Sequence, residues 1–221
     1  IIALGILQVK DAEVREFLLS LVANRDYPMR GRCFAMLSLG LLKDKHEDVH
    51  KALEARLDDS EVHLDVPVCA LLAMGLIGDE SKVPQMVSWL ESGSIGKNKL
   101  SDLERAWVVT ALGKIGHPDA LKAIQKTLRG KGRYTRRSAV IALGQIARQT
   151  EKKEQVRIAK VLARFHAEEG DLTAKNFAMI SLGRIGGNAN AAPEMRDSVK
   201  TYLKKSFRDA NRTTERPFVA L

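Results

Sequence analysis

The chain has 221 residues, of which 45% are hydrophobic and 29% are charged, so it can bury a sizeable core. No stretch reaches the roughly 18 uncharged apolar residues of a membrane-spanning helix, and two cysteines give no disulfide framework. These features exclude a helical membrane protein and a disulfide scaffold, and they favour a reducing compartment such as the cytoplasm.

The net charge of +9 is unevenly placed along the chain. Residues 1–120 hold 14 basic and 18 acidic residues, whereas residues 121–221 hold 22 and 9. Such asymmetry favours an acidic partner for the second half, either nucleic acid or an acidic protein surface.

An apolar run that ends in Leu-Gly or Met-Gly recurs from the start of the chain to its end. The six glycines are Gly5, Gly40, Gly75, Gly113, Gly144 and Gly183. Their spacings of 35, 35, 38, 31 and 39 residues fit two short helices and two turns per repeat. We predict repeats over 1–28, 29–63, 64–101, 102–132, 133–171 and 172–210, with a partial repeat over 211–221. Because the chain opens without Met and stops at "FVAL", in mid-motif, we expect a single array cut at both ends from a longer protein.

The residues before each motif glycine follow one pattern. Small residues stand two positions before the glycine and mostly five positions before it, and Leu or Met stands one position before it. Positions three apart share a helix face, so these small side chains let a neighbouring helix approach closely. The glycine itself suits the left-handed residue that ends a helix, and Asp79 and Pro118-Asp119 suit the starts of the helices that follow. One such helix pair cannot bury its apolar face alone, so we predict that the pairs stack.

The loops between the helices are longest in two places. "GSIGKNKLSD" over 93–102 is predicted to be a long loop, and "GGNANAAPE" over 186–194 a flexible insertion.

Three segments carry a family resemblance: "LERAWVVTALGKIGHPDA", "TRRSAVIALGQIA" and "AKNFAMISLGRIGG". They resemble the short HEAT-like repeat typified by the bilin lyases, and the resemblance covers nearly the whole chain. It implies an all-α fold, a right-handed α-α superhelix (solenoid) of about six helix pairs. It says almost nothing about function, because helical repeats serve many roles.

The resemblance also implies which residues face a groove. In this family the helix that ends in the motif lines the concave face, with positions three, six, seven and ten before the glycine turned toward it. We therefore predict an apolar, partly aromatic groove for a protein or peptide partner. The predicted partner-binding residues are Phe34, Leu37, Val68, Leu72, Trp107, Tyr134, Arg137, Ile141, Phe177 and Ile180. The alternative is that curvature buries this face in ordinary core, or that flanking segments fill it.

A dense basic cluster, "RGKGRYTRR" over 129–137, supports a second hypothesis. Nucleic acid would meet arginine and lysine side chains while Tyr134 stacks on a base. The candidate residues are Arg129, Lys131, Arg133, Arg136 and Arg137. The opposing interpretation comes from the resemblance, in which the arginine eight positions before the glycine pairs with acids between adjacent repeats.

The sequence offers weak signs of catalysis. "HEDVH" matches H-E-x-x-H, in which His46 and His50 would bind zinc and Glu47 would act as general base. We reject this site because the motif stands at a charged helix start and no third ligand follows; Val49 and Leu53 would face the core, with His50 at its margin. The di-iron relatives of this repeat use His-Glu pairs six and seven positions before the glycine, and this chain has none there. Cys33 and Cys69 fall in those groove columns, where buried thiols are usually inert.

The sequence therefore predicts a non-catalytic scaffold that binds a partner protein or peptide and needs no cofactor. Two alternatives stay open: binding of nucleic acid or an acidic surface by the basic second half, and a bilin-lyase-like module that holds a ligand. The identity of the partner and the oligomeric state are left open by the sequence.

Overall fold

A computed structural model describes residues 1–57, 64–209 and 218 of the chain. The α-helices of this part are α1 (Ile2–Leu7), α2 (Ala12–Ala23), α3 (Met29–Leu42), α4 (Glu47–Leu57), α5 (Asp65–Ile77), α6 (Val83–Ser92), α7 (Asp102–Ile115), α8 (Leu121–Thr127), α9 (Arg133–Ala147), α10 (Lys152–Glu168), α11 (Leu172–Gly186) and α12 (Pro193–Asp209). The all-α helical-repeat class predicted from the sequence is confirmed. None of the described helices is long and apolar enough to cross a bilayer.

The chain divides into two compact units, Ile1–Ile115 and Gly116–Leu221. Each of the six predicted repeat ranges holds one helix pair, and the first helix of each pair carries the Leu-Gly or Met-Gly motif. We call these first helices the motif helices. The predicted partial repeat over 211–221 lies outside the described residues apart from Phe218.

Within each unit the motif helices pack side by side in chain order. In the first unit α3 packs on α1, α5 on α3 and α7 on α5, while α2, α4 and α6 each pack on the motif helix that follows them. In the second unit α11 packs on α9, and α10 contacts both of them. Each unit therefore has one layer of motif helices and one layer of second helices, with the core between them.

The core follows the repeat pattern. In each motif helix from α3 to α11 the residues one, two, four and five positions before the glycine are at most 2% exposed. Leu39 and Met36 of α3 and their equivalents supply apolar volume, and Ser38 and Ala35 keep the helices close. Small and large side chains at helical spacing thus interlock neighbouring repeats.

The motif glycine has a different role from the predicted one. Gly40, Gly75 and Gly144 lie inside their helices, which continue for two or three residues beyond them. A Cβ atom on Gly40 would lie 2.8 Å from the Cα atom of Ala73, the small residue of the next motif helix. Side chains do not tolerate such distances, so glycine is required for close helix contact and not for ending the helix.

The same contact recurs through both units. A Cβ atom on Gly5 would lie 2.7 Å from Ser38 Cα, one on Gly75 2.7 Å from Ala111 Cα, and one on Gly144 2.6 Å from Ser181 Cβ. In these four repeats the motif glycine therefore packs against the small residue of the next repeat, two positions before that repeat's own glycine.

The left-handed residue that ends the helix stands three positions after the motif glycine. Gln8 (φ 57°), Lys43 (φ 52°), Gly78 (φ 71°) and Gly116 (φ 84°) take this conformation. The sequence interpretation placed the helix end at the motif glycine, one turn too early. Glycine is favoured both there and three positions later, for different physical reasons.

Helix starts agree with the sequence in part. The Asp79 side chain accepts a hydrogen bond from the Ser81 backbone N–H, as expected for a helix cap. At the turn before α8 the cap is the His117 ring, which accepts from the Asp119 N–H, and not Asp119 itself. The predicted loop over 93–102 contains a small antiparallel hairpin, β1 (Ser94–Ile95) paired with β2 (Asn98–Lys99).

Candidate partner-binding face

In the first unit the positions three and six before the motif glycine keep part of their surface exposed. Phe34 is 47% exposed although α3 around it is largely buried, and Leu37 is partly exposed one turn later. Leu72 of α5 and Trp107 of α7 are partly exposed at the equivalent positions. Because α3, α5 and α7 pack side by side in the same register, these side chains lie on one apolar face of the layer of motif helices. We call this surface the apolar face of the first unit.

Val68 belongs to the same region of α5. It stands seven positions before Gly75 and is partly exposed. All five partner-binding residues predicted in this unit are therefore on the surface to some degree.

The second unit carries a comparable but more polar face. Ile141 of α9 and Phe177 and Ile180 of α11 are partly exposed, and Tyr134 at the start of α9 is 43% exposed. Two guanidinium groups approach the Tyr134 ring, with Arg133 Cζ 5.4 Å and Arg137 Cζ 5.9 Å from its centroid. These cation–π contacts place positive charges beside the Tyr134 ring. The Tyr134 ring is therefore less suited to contact with an apolar ligand than the Phe34 ring.

Arg137, predicted both for partner binding and for nucleic-acid binding, is already engaged. Its Nε and Nη2 atoms donate to the two carboxylate oxygens of Asp171 at 2.7 and 3.0 Å. The Arg137 hydrogen bond holds the pKa of Asp171 below its usual value. Asp171 also caps α11 by accepting from the Thr173 N–H, so this carboxylate ties α9 to the start of the next motif helix.

Arg136 is engaged in the same way. Its Nε lies 3.0 Å from a carboxylate oxygen of Glu169, and its Nη1 donates to the Gly130 carbonyl oxygen at 2.9 Å. Glu169 directly follows α10, so this pair links the start of α9 to the end of the same repeat, whereas the resemblance implied pairing between adjacent repeats. Of the predicted nucleic-acid residues, Arg129, Lys131 and Arg133 remain exposed on the surface.

The acidic partners of the arginine pair were missed at the sequence level. Glu169 and Asp171 stand 33 and 34 residues after Arg136 and Arg137, close to the repeat spacing. That spacing, together with the opposite charge, is the signal by which these pairs can be found in a sequence of this kind.

The two cysteines meet on neighbouring motif helices. Cys33 of α3 is buried and Cys69 of α5 is partly exposed, and both are free thiols. Burial, the nearby Cys33 thiol and its hydrogen bond raise the pKa of Cys69 to about 12. A thiol with this pKa is protonated at neutral pH and is a poor nucleophile, so the geometry supports the inert interpretation.

His50 differs from its predicted place at the margin of the core. Its side chain is 1% exposed, and its Nε2 atom lies 2.8 Å from a carboxylate oxygen of Asp79. Burial opposes ionisation of Asp79, but hydrogen bonds from Ser81 and the His50 contact together lower its pKa. His50 therefore joins α4 to the turn before α6 and faces away from solvent, where it has no access to a substrate.

The other residues of the rejected zinc motif lie on the surface. His46 is exposed, and its Nδ1 atom accepts from the Asp48 N–H at the start of α4. Glu47 is exposed as well, with a carboxylate oxygen 3.6 Å from Lys82 Nζ. Among the described residues no group of three or more His, Cys, Asp or Glu side chains is arranged to hold a metal ion.

A family model of HEAT repeats matches residues 97–175. This segment of the chain therefore carries HEAT repeats. The match spans α7 to α10 and thus includes the segment "LERAWVVTALGKIGHPDA", which carries the resemblance to HEAT-like repeats. A comparison with curated proteins gave no match.

Solved structures share the fold of this chain along nearly its whole length. One is the complex of CpcE and CpcF of phycocyanin lyase from Nostoc sp. PCC7120, with 20% identity and a TM-score of 0.55 over 99% of this chain and 84% of that chain. Another is an engineered protein, with 15% identity and a TM-score of 0.53 over 95% of this chain and 94% of that chain. At these identities the structural similarity establishes the fold. The function has to be inferred from the surface of the helical repeats.

Proposed function

We propose that this HEAT-like repeat protein is a non-catalytic scaffold that binds a partner protein or peptide through the apolar face of the first unit. One observation carries the proposal: Phe34, a large aromatic side chain, is 47% exposed on a helix whose other faces are packed. Leu37, Leu72 and Trp107 extend the same face across three motif helices. Contiguous exposed apolar surface with a central aromatic residue is typical of a binding site, and aromatic residues dominate the energetics of such sites.

We expect binding and not chemistry at this face. The Cys69 thiol on α5 has a pKa raised to about 12 and is a poor nucleophile. An extended partner segment would gain affinity by burying Phe34 and Trp107, and the partly exposed leucines would exclude water around them.

The chain offers a matched pair of exposed phenylalanines for a test. Phe17 on α2 is 48% exposed but lies on a second helix, away from the apolar face. A photo-reactive amino acid at position 34 should cross-link a single reproducible partner, which mass spectrometry would identify. The same group at position 17 should not cross-link that partner.

The identified partner then gives a quantitative test. Phe34→Ala should raise its Kd by roughly 30-fold, since loss of a central aromatic anchor costs about 2 kcal/mol. Phe17→Ala should change the Kd by less than about two-fold. Equal effects of the two substitutions, measured by calorimetry, would contradict the assignment of the binding face.

The second candidate is a module that holds a ligand, and the likeness to a phycocyanin lyase complex favours it. An apolar face lined by Phe34 and Trp107 would hold the rings of a linear tetrapyrrole by stacking and burial. Titration of the chain with such a pigment should then shift its visible absorbance, and the shift should disappear in Trp107→Ala. Absence of a shift at equimolar protein and pigment would eliminate this candidate.

A further inference from the structure

Cys33 and Cys69 lie on the closely packed interface between two motif helices of the first unit. Gly40 of α3 marks this interface, because a Cβ atom on it would lie 2.8 Å from the Cα atom of Ala73 of α5. Cys33 stands seven residues before Gly40, about two helical turns, so it lies on the face of α3 that meets α5. Cys69 stands four residues before Ala73, about one turn, on the face of α5 that meets α3. The register of the repeat thus brings the two thiols together, and they are in hydrogen-bond contact.

The thiol pair is covered by the core on one side and is reachable from the surface on the other. Cys33 is 7% exposed, and Ala35 and Met36 beside it on α3 are fully buried. Cys69 is partly exposed, at the position six before the motif glycine that Phe34 occupies in α3. A small ion can therefore reach the pair from the apolar face of the first unit, whereas the apolar core excludes water behind it.

A pair of thiols suits one class of metal ion. Within residues 1–57, 64–209 and 218, no group of three or more His, Cys, Asp or Glu side chains is arranged to hold a metal. Zinc in structural sites takes four ligands, and calcium and magnesium take oxygen ligands. Thiolates select Cu(I), and this monovalent ion is satisfied by two sulfur ligands. The pair therefore matches Cu(I) in both the kind and the number of its donors.

The nearest charge also favours a cation. The Asp65 carboxylate stands four residues before Cys69 on α5, is exposed, and acts electrostatically on the Cys69 thiol. A negative charge at this place opposes a free thiolate and attracts a positive ion to the pair.

We propose that Cys33 and Cys69 form a binding site for a single Cu(I) ion, held between α3 and α5 by two thiolates. On binding, two S–H bonds break, two Cu–S bonds form, and both protons pass to the solvent. Copper remains Cu(I) throughout, so the step needs neither an oxidant nor a reductant. Cys69 is a poor nucleophile because it holds its proton tightly, but a thiol of this kind is still a ligand when the metal ion replaces the proton.

Copper titration of the purified full chain tests the proposal. The probe is Cu(I) supplied as its coloured bicinchoninate complex, in the absence of oxygen and with both thiols reduced. The chain should withdraw one Cu(I) per chain from the complex and should keep the oligomeric state that it has without metal. Copper X-ray absorption of the product should show sulfur ligands alone.

Two variants separate this site from ordinary thiol binding. Cys69→Ser should weaken Cu(I) binding by at least about 100-fold, because one thiolate remains. The matched control combines Cys69→Ser with Val68→Cys, which keeps two cysteines in the chain. Val68 stands seven residues before Gly75, on the face of α5 that meets α7, so a thiol there points away from Cys33. This variant should bind Cu(I) as weakly as Cys69→Ser, with the helical circular dichroism signal unchanged in both.

Four results would overturn the proposal. The first is a chain that leaves the bicinchoninate complex intact, and the second is tight binding by the variant with a relocated thiol. The third is one Cu(I) per two chains, which would mean that the thiolates come from different molecules. The fourth is nitrogen or oxygen ligation in the X-ray absorption spectrum. The titration contains no partner protein, so failure here is distinct from failure of the proposed function.

Discussion

Asp171 shows how one carboxylate serves two purposes between repeats. It accepts two hydrogen bonds from Arg137 of α9 and caps α11 through the Thr173 N–H. Both groups are mostly buried, with 25% of the Arg137 side chain and 12% of the Asp171 side chain exposed. Such a pair contributes more than a fully exposed ion pair because solvent screens it less.

Asp171→Asn removes the negative charge and keeps the helix cap, because asparagine still caps a helix. We expect a loss of about 1 kcal/mol in the free energy of unfolding at pH 7. The Arg137 hydrogen bond lowers the pKa of Asp171 in the folded chain. The contribution of the pair is therefore fully present above the unfolded pKa, near 4, and is lost as the pH falls through the lower folded pKa. Urea unfolding at pH 7 and at successively lower pH should show that the difference between Asp171→Asn and the unchanged chain shrinks as Asp171 becomes protonated.

The control for this prediction is Glu168→Gln. Glu168 pairs with Arg164 one turn earlier on α10, with both side chains mostly exposed. Its substitution should leave unfolding at pH 7 almost unchanged. A loss as large as that of Asp171→Asn would mean that general charge, and not the inter-repeat pair, is responsible.

At the scale of the helix, the motif glycine decides how closely neighbouring repeats pack. Gly75→Ala would place a Cβ atom 2.7 Å from the Cα atom of Ala111, which is backbone and cannot rotate away. We expect destabilisation of about 1–3 kcal/mol, even though alanine is the better helix former. Thermal or urea unfolding would measure it.

Gly183→Ala is the same substitution at the equivalent position of α11. No described atom lies within 4 Å of the added Cβ atom, so within the described part of the chain the substitution changes helix propensity without adding a close contact. This variant should be stabilised by up to about 1 kcal/mol. If both variants were stabilised, the close contact at Gly75 would not limit the packing of the first unit.

For the molecule as a whole, the stacking of helix pairs implies graded stability within each unit. In the first unit α1 has one buried residue, Gly5, whereas α3 and α5 are buried along most of their length. In the second unit α12 has two buried residues against eight in α11. Amide hydrogen exchange should therefore release α1 before α3 and α5, and α12 before α9 and α11. Uniform protection within a unit would contradict repeat-wise stability.

Charge is also a property of the whole chain, and the ion pairs of the basic residues change its functional interpretation. The excess of basic residues in the second half suggested phosphate contacts, but Arg136 and Arg137 pair with Glu169 and Asp171. The basic residues that lack acidic partners in the described chain include Lys200, Lys204 and Arg208, which the sequence interpretation did not select.

The sequence by itself determined the repeat, the helices and the core. A period of 31 to 39 residues, with small residues three positions apart, predicts a stack of helix pairs, because each pair must bury its apolar side against the next. The surface positions of Phe34, which is exposed, and Leu72, which is partly exposed, were also predictable once the resemblance supplied the orientation of the motif helices.

Tertiary structure alone decided which of two glycines packs and which ends the helix, where His50 lies, and which charges are paired. Gly40 and Gly78 look alike in sequence, but only the distance from Gly40 to Ala73 distinguishes close contact from a left-handed turn. Likewise Arg137 and Lys204 are both basic residues on helices, and only the position of Asp171 makes the first a structural link. These outcomes depend on atoms far apart in the chain, whereas the helical pattern depends on residues a few positions apart.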